Sequence, residues 1–96
     1  MAHLGRLRAD LAFIGTNGIS AGFGLSTPDT DEAAVKTAII RSGRRVVLLA
    51  DSSKFDEESL VAFAHLEDID VLITDRAPAP SLADALADAD VEVIVA

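Results

Sequence analysis

The sequence predicts an α/β domain with a mainly parallel sheet and flanking helices. Three short apolar runs, over residues 11–14, 46–50 and 71–74, end at glycine or polar positions, and a fourth over residues 91–96 closes the chain. The run 46–50 is apolar at every position, as is typical of a strand covered on both faces. Segments with helical signals separate these runs, and the resulting order is β–α–β–(loop, short β)–β–α–β. Such alternation favours parallel strand pairing.

The first predicted helix lies between the first two runs. Asp29 is its predicted N-cap, with Glu32 three residues on, and Gly43 supplies the C-terminal stop. Glu32 and Lys36 are spaced for an i,i+4 ion pair. The face predicted to pack inward carries Ala34, Val35, Ala38 and Ile39.

A second helix is predicted over residues 81–89, where Ser81 and Asp84 repeat the spacing of a capping box. Its predicted inward residues are Leu82, Ala85, Leu86 and Ala89. The stretch 60–66 fits both a period of two and a helical period, and we predict a short strand there.

Composition restricts the possible functions. A length of 96 residues allows one domain at most, and a net charge of −8 opposes contact with nucleic acid or anionic lipid. The chain has no cysteine, its two histidines (His3 and His65) lack a partner at ligand spacing, and tryptophan and tyrosine are absent. We therefore predict no metal, no cofactor and no membrane contact, and a cytoplasmic location.

Gly15-Thr16-Asn17-Gly18 follows the first predicted strand. Glycines there permit positive φ and close backbone approach, and free N–H groups in such a loop can hold a phosphate. An ordinary tight turn explains the pattern equally well. The next segment, residues 22–27, has two more glycines and reads either as a lead-in to the helix or as a wall of a pocket.

Asp51-Ser52-Ser53-Lys54-Phe55 stands at the carboxyl end of the most apolar strand, where open α/β sheets place their ligand crevice. Asp51 can accept hydrogen bonds from sugar hydroxyls, and Lys54 offers a point charge to a phosphate. The alternative makes Asp51 a cap or turn residue and Lys54 its solvated ion-pair partner. Asp75 ends the next strand and reads foremost as a turn former.

Taken together in this order, residues 10–20, 24–27, 32–36, 47–55 and 69–75 resemble the C-terminal effector domain of the DeoR family of bacterial sugar-catabolism repressors. The resemblance spans nearly the whole chain. It implies a partial fold of the kind shared by ribose-5-phosphate isomerase, glucosamine-6-phosphate deaminase and the coenzyme A transferases. It also implies that residues 1–96 are the C-terminal part of a sensing domain, without the N-terminal helix-turn-helix and the first half of that domain.

The function implied by the resemblance is that of an effector-binding module of a transcriptional repressor, which senses a phosphorylated sugar and is not an enzyme. DNA would be contacted only through the absent N-terminal domain, and a homo-oligomer is expected. The implied ligand-binding residues, with none catalytic, are Gly15, Thr16, Asn17, Gly18, Asp51, Lys54, Glu32 and Lys36.

Two other functions stay open on the residues alone. One is a sugar-phosphate isomerase or deaminase of the same fold, which would need a carboxylate or histidine on the loop after the first strand to move a proton. That loop reads Thr16-Asn17-Gly18 and has neither. The other is a plain oligomerisation module.

Overall fold

The computed structural model describes residues 9–96; His3 and the rest of residues 1–8 lie outside the described residues. Within residues 9–96, two helices and seven strands follow one another in the order β1, β2, β3, α1, β4, β5, β6, α2, β7. The strands are β1 (Ala9–Gly15), β2 (Gly18–Ser20), β3 (Gly24–Thr27), β4 (Gly43–Leu49), β5 (Val61–Ala64), β6 (Val71–Thr74) and β7 (Glu92–Val95). The helices are α1 (Thr30–Ser42) and α2 (Pro80–Asp88), and short 3-10 turns span Ser52–Lys54 and Leu66–Asp68.

Four strands form a parallel sheet in the order β1-β4-β6-β7. The predicted parallel α/β class is thereby confirmed. The spatial order of these strands follows their chain order, so each new strand is added on the same side of the last. Because crossovers between parallel strands are right-handed, the connecting segments of such a sheet cover one of its faces.

The burial of the parallel sheet follows this rule. The covered face carries Ile14, Val46, Leu48 and Leu72, all within the core. The opposite face exposes 48% of Leu11, 56% of Phe13, 47% of Leu49 and 41% of Ile94. The expectation that residues 46–50 are covered on both faces therefore holds for four of them and is wrong for Leu49.

A second, three-stranded antiparallel sheet has the order β2-β3-β5. The predicted short strand is confirmed as β5, but the hairpin of β2 and β3 was not anticipated. Those strands are three and four residues long and rich in glycine and serine, so they carry no alternating apolar pattern. Ile19 and Leu25 nevertheless supply fully buried side chains to the core. The hairpin packs residues 18–27 into the protein as structure, where the sequence indicated a loop.

Helix α1 begins and ends as predicted. The Asp29 side chain accepts from the backbone N–H of Asp31, and Gly43 is the C-cap. The predicted inward face is wrong at Ala34 and Val35, which are exposed, whereas Ile39 packs against the core as predicted and Ala33 is buried. Two polar residues point toward the sheets instead: Lys36 Nζ bonds the Gly15 carbonyl, and Thr37 Oγ1 bonds the Phe63 carbonyl. These hydrogen bonds connect α1 to β1 and to β5.

Helix α2 buries Leu82 and Leu86 completely and Ala85 in part, as predicted. Its predicted capping box is wrong. The helix begins one residue earlier than expected, with Pro80 at its first position and Ala79 as a cap without a side-chain hydrogen bond. Proline suits the first helical position because its missing N–H has no partner there in any case. Neither helix of residues 9–96 is long and apolar enough to cross a membrane.

Candidate functional site: a crevice at the carboxyl ends of the parallel strands

A cavity of about 420 Å³ opens where β1, β4 and β6 end. Parallel strands present their carboxyl ends at one edge of a sheet, so the segments that follow them meet there. The residues that line the cavity are Gly15, Thr16, Leu49, Ala50, Asp51, Lys54, Ile73, Thr74, Asp75 and Ala96.

Four of the eight residues predicted to bind ligand line this cavity: Gly15, Thr16, Asp51 and Lys54. The structure thus brings together the loop after β1 and the turn after β4, as the strand order led us to expect. The other four predicted residues are not among the lining residues. They are Asn17, Gly18, Glu32 and Lys36.

The loop after β1 is closed by the hairpin that follows it. Thr16 Oγ1 donates to the carbonyls of Gly18, at 2.7 Å, and Ser26, at 3.0 Å. The backbone N–H of Asn17 donates to the Ser26 carbonyl at 3.0 Å. The expectation of a loop with free N–H groups is therefore wrong at Asn17, whose N–H is already engaged.

The expected positive φ is likewise not found in this loop. Among the described glycines only Gly24 has a positive φ, of 76°. Gly18 is required for close approach instead, because a Cβ there would overlap the carbonyl oxygen of Glu57.

Lys36 fastens α1 to the end of β1. Its Nζ donates to the Gly15 carbonyl at 2.9 Å and lies 3.6 Å from Glu32 Oε1, which confirms the predicted i,i+4 pair. The same ammonium stands 5.3 Å from the centroid of the Phe63 ring. Glu32 Oε2 in turn accepts from the buried Thr27 hydroxyl at 3.0 Å. Lys36 and Glu32 therefore act on the geometry of the crevice wall.

Asp51 caps the 3-10 turn Ser52–Lys54. Its Oδ1 accepts from the Ser53 backbone N–H at 2.9 Å and from the Ser53 hydroxyl. The Ser53 hydroxyl and then the Ser53 amide hold the pKa of the Asp51 carboxyl below its ordinary value. The capping role that the sequence left open is thus observed, and Asp51 Oδ2 accepts no hydrogen bond from residues 9–96.

Lys54 does not form the ion pair that the same alternative required. Within residues 9–96 no carboxylate oxygen lies within 4.0 Å of its Nζ, since the ion pairs found join Lys36 to Glu32 and Arg45 to Glu92. The half-buried Lys54 lines the crevice. Its positive charge is consequently available to an anion there.

Asp75 is the site residue that sequence reasoning underrated. Its Oδ1 accepts from the Ser52 backbone N–H at 2.6 Å, and its Oδ2 accepts from the Ser52 hydroxyl at 3.2 Å. The Ser52 amide is the largest cause that lowers the pKa of the Asp75 carboxyl. The available signal was positional: β4 and β6 are neighbours, so Asp75 and the 51–54 turn follow adjacent parallel strands.

Comparison with known proteins identifies the family. The family model described as the DeoR C terminal sensor domain matches residues 1–76, which include every residue lining the crevice except Ala96. The chain belongs to the DeoR family of sensor domains.

Relatives of this DeoR sensor domain are transcriptional regulators. It is 47% identical over 70 residues to the HTH-type transcriptional regulator GlpR of Haloferax volcanii, and this alignment covers 73% of the chain and 28% of the relative. It is 37% identical over 92 residues to the HTH-type transcriptional repressor GlcR of Bacillus subtilis, covering 96% of the chain and 35% of the relative. The glycerol-3-phosphate regulon repressor of Escherichia coli is 30% identical over 90 residues, with 94% and 36% covered. The chain thus spans about a third of the length of these relatives.

Membership of a sensor family confirms the prediction of a sensing module rather than an enzyme. The carboxyl groups at the crevice agree with it. Hydrogen bonds lower the pKa of both Asp51 and Asp75, which makes each a weaker base at neutral pH.

Proposed function

We propose that this DeoR sensor domain binds a phosphorylated sugar or polyol in the crevice at the carboxyl ends of β1, β4 and β6. The observation that carries the proposal is the placement of Lys54, a half-buried cation without a carboxylate partner within residues 9–96, in the wall of that crevice. An anion can bind at such a position, because Asp51 and Asp75 share the crevice with Lys54 but neither carboxylate lies within 4.0 Å of its Nζ.

The other residues that line the crevice suit the sugar or polyol part of such a ligand. The Oδ2 atom of Asp51 is free to accept a hydrogen bond from a sugar hydroxyl. The Lys54 ammonium takes the phosphate at the opposite end of the molecule. Three lining residues, Leu49, Ala50 and Ile73, provide an apolar floor for the carbon skeleton. The relative named for the glycerol-3-phosphate regulon supports a small phosphorylated polyol as the class of effector.

We further propose that the eight predicted ligand residues divide into two groups. Gly15, Thr16, Asp51 and Lys54 contact the ligand. Asn17, Gly18, Glu32 and Lys36 support the wall of the crevice, because they do not line it and they contact neighbouring residues of the protein.

The binding event would serve a DNA-binding repressor of carbohydrate metabolism. Here the chain is the effector-binding part, and DNA is contacted by a helix-turn-helix elsewhere in a longer protein. Two observations support this arrangement: the chain spans about a third of each relative, and its net charge of −8 opposes direct contact with DNA. The exposed apolar face with Leu11, Phe13, Leu49 and Ile94 would pack against the first half of the sensor domain.

The proposal is tested by titrating the chain with glycerol-3-phosphate, glucose-6-phosphate and inorganic phosphate in a calorimeter. A charge-assisted hydrogen bond contributes about 1.5–3 kcal/mol, so Lys54→Ala should weaken binding roughly ten- to a hundredfold. Arg44→Ala is the matched control, because Arg44 lies near the amino end of β4, is not among the residues that line the crevice, and its removal changes the net charge equally.

Three results would argue against the proposal. Binding that Lys54→Ala leaves unchanged would remove Lys54 from the site, and equal weakening by Arg44→Ala would reduce the effect to net charge. An absence of binding to all three phosphates would favour a plain oligomerisation module.

A further inference from the structure

Asp75 and Ser52 meet where the backbone pairing of two strands stops. The ladder between β4 and β6 pairs Leu49 with Ile73, and the Ala50 N–H then donates to the Ile73 carbonyl at 3.2 Å. Beyond that point the Asp75 side chain takes over and accepts two hydrogen bonds from Ser52. A side chain from the end of β6 thus continues the connection that the backbone no longer makes.

The segment attached in this way carries the polar ligand groups of the crevice. Its internal hydrogen bonds, from the Lys54 N–H to the Asp51 carbonyl and from the Phe55 N–H to the Ser52 carbonyl, fix the shape of the turn. They do not fix where the turn sits relative to the sheet. Its far end is held by β2, through the bridge of Ile19 with Phe55 and the bond from the Asp56 N–H to the Ile19 carbonyl. Its near end is held by Asp75.

We propose that Asp75 is a positioning residue, which holds the 51–54 turn over the end of β6 so that Asp51 and Lys54 face the loop after β1. The assignment rests on the proposed function of the crevice. Both oxygens of Asp75 accept a hydrogen bond from Ser52, and in this role its carboxylate acts on a ligand through the turn.

If Asp75 positions the turn, removing its side chain should change the phosphate affinity in the opposite direction to that expected from its charge alone. Asp75 lines the same crevice as Lys54, and a carboxylate there repels a phosphate. If Asp75 acted only as a neighbouring negative charge, its removal would strengthen phosphate binding. Removing its hydrogen bonds should weaken binding if Asp75 positions the turn, because Lys54 would lose its fixed location.

The experiment measures the dissociation constants of glycerol-3-phosphate and inorganic phosphate for the full chain and for Asp75→Ala, Asp75→Asn and Ser52→Ala. We expect Asp75→Ala to weaken glycerol-3-phosphate binding about tenfold. Asp75→Asn keeps one acceptor oxygen for the Ser52 N–H and loses the charge, so it should weaken binding less. Ser52→Ala loses one hydrogen bond without any change of charge, so it serves as a second variant should Asp75→Ala fold poorly. Asp84→Ala, which removes an exposed carboxylate on α2, is the control and should leave the constant unchanged.

Two further readouts separate positioning from a general loss of structure. Amide hydrogen exchange at Ser52 should accelerate at least tenfold in Asp75→Ala while exchange at Leu48, in the centre of β4, stays the same. In a Lys54→Ala background the Asp75→Ala substitution should weaken glycerol-3-phosphate binding less than it does in the unsubstituted chain, because only the Asp51 contact is left for it to position.

The outcomes distinguish this assignment from the proposed function itself. A chain that binds neither phosphate overturns the proposed function. If the unsubstituted chain binds glycerol-3-phosphate and Asp75→Ala binds it equally tightly or more tightly, the positioning role alone is overturned. Unchanged exchange at Ser52 in Asp75→Ala overturns it as well, whatever the binding constants show.

Discussion

Lys36 Nζ donates a hydrogen bond of 2.9 Å to the carbonyl oxygen of Gly15, which ties the second turn of α1 to the carboxyl end of β1. The contact lies directly behind the crevice, since Gly15 lines it. Only 15% of the Lys36 side chain is exposed, so the ammonium is shielded more than an ordinary surface lysine. The helix and the crevice wall are thus joined by one side chain.

Replacing Lys36 with methionine tests this connection. Methionine keeps an unbranched apolar stem beside Phe63 but loses the hydrogen bond to Gly15 and the ion pair with Glu32. We expect the free energy of unfolding to fall by about 1–2 kcal/mol, measured by urea denaturation, because the charged hydrogen bond is partly solvated. Arg44→Met, at an exposed position, should change it by less than about 0.5 kcal/mol. Equal effects of the two substitutions would contradict a specific role for Lys36.

Two glycines provide a matched test of close packing around the hairpin. A Cβ at Gly18 would overlap the Glu57 carbonyl oxygen, whereas a Cβ at Gly22 would meet nothing within 4 Å. Gly18→Ala should therefore lower the free energy of unfolding by about 1–3 kcal/mol, as overpacking of a closely packed region does. Gly22→Ala should leave it nearly unchanged or raise it slightly. The measurement is the melting temperature of each variant in thermal unfolding. Similar melting temperatures would contradict the prediction, because they would show that the backbone at residues 57–58 moves aside at little energetic cost.

The hydrogen bonds of Asp51 and Asp75 predict a pH dependence of the 51–54 turn. Both carboxyls have a pKa in the folded chain below their ordinary value of about 3.9, because serine amides and hydroxyls stabilise the carboxylate. A lowered folded-state pKa means that the stabilisation is fully present above about pH 4 and is lost as the pH falls through the folded-state value. An NMR titration of the Ser52 and Ser53 amide shifts should give midpoints below 3.9. Midpoints at or above that value would rule out these hydrogen bonds in solution.

The exposed face of the parallel sheet predicts association of the isolated chain. Phe13 and its neighbours on that face leave apolar area in contact with water, and a second copy of the same face is available to cover it. Sedimentation velocity at high concentration should show dimers, and Phe13→Lys should weaken association at least tenfold. Leu60→Lys is the control, because Leu60 is 81% exposed but lies outside the parallel sheet. A monomeric unsubstituted chain would contradict this prediction.

Some of the site could be read from the sequence because adjacency in a parallel sheet is regular. Once β1 and β4 were recognised by their apolar runs, Gly15, Thr16, Asp51 and Lys54 had to meet at the carboxyl ends of those strands. To place Asp75 at the site, one must also know that β6 pairs with β4. The residues of a strand do not by themselves predict which strand it pairs with. For the same reason the engaged N–H of Asn17 could not be foreseen, since its acceptor lies on a hairpin strand that has no apolar alternation.

The sequence by itself determined the α/β class, the bounds of α1 and the family, because apolar runs, caps and motifs are local signals. Only the tertiary structure decided which face of α1 turns inward, how Glu32 and Lys36 are used, and what holds the 51–54 turn. Those outcomes depend on hydrogen bonds between residues distant in sequence, such as Lys36 with Gly15 and Ser52 with Asp75. A polar side chain can be buried where a hydrogen-bond partner is available, and the position of that partner is set only when the chain has folded.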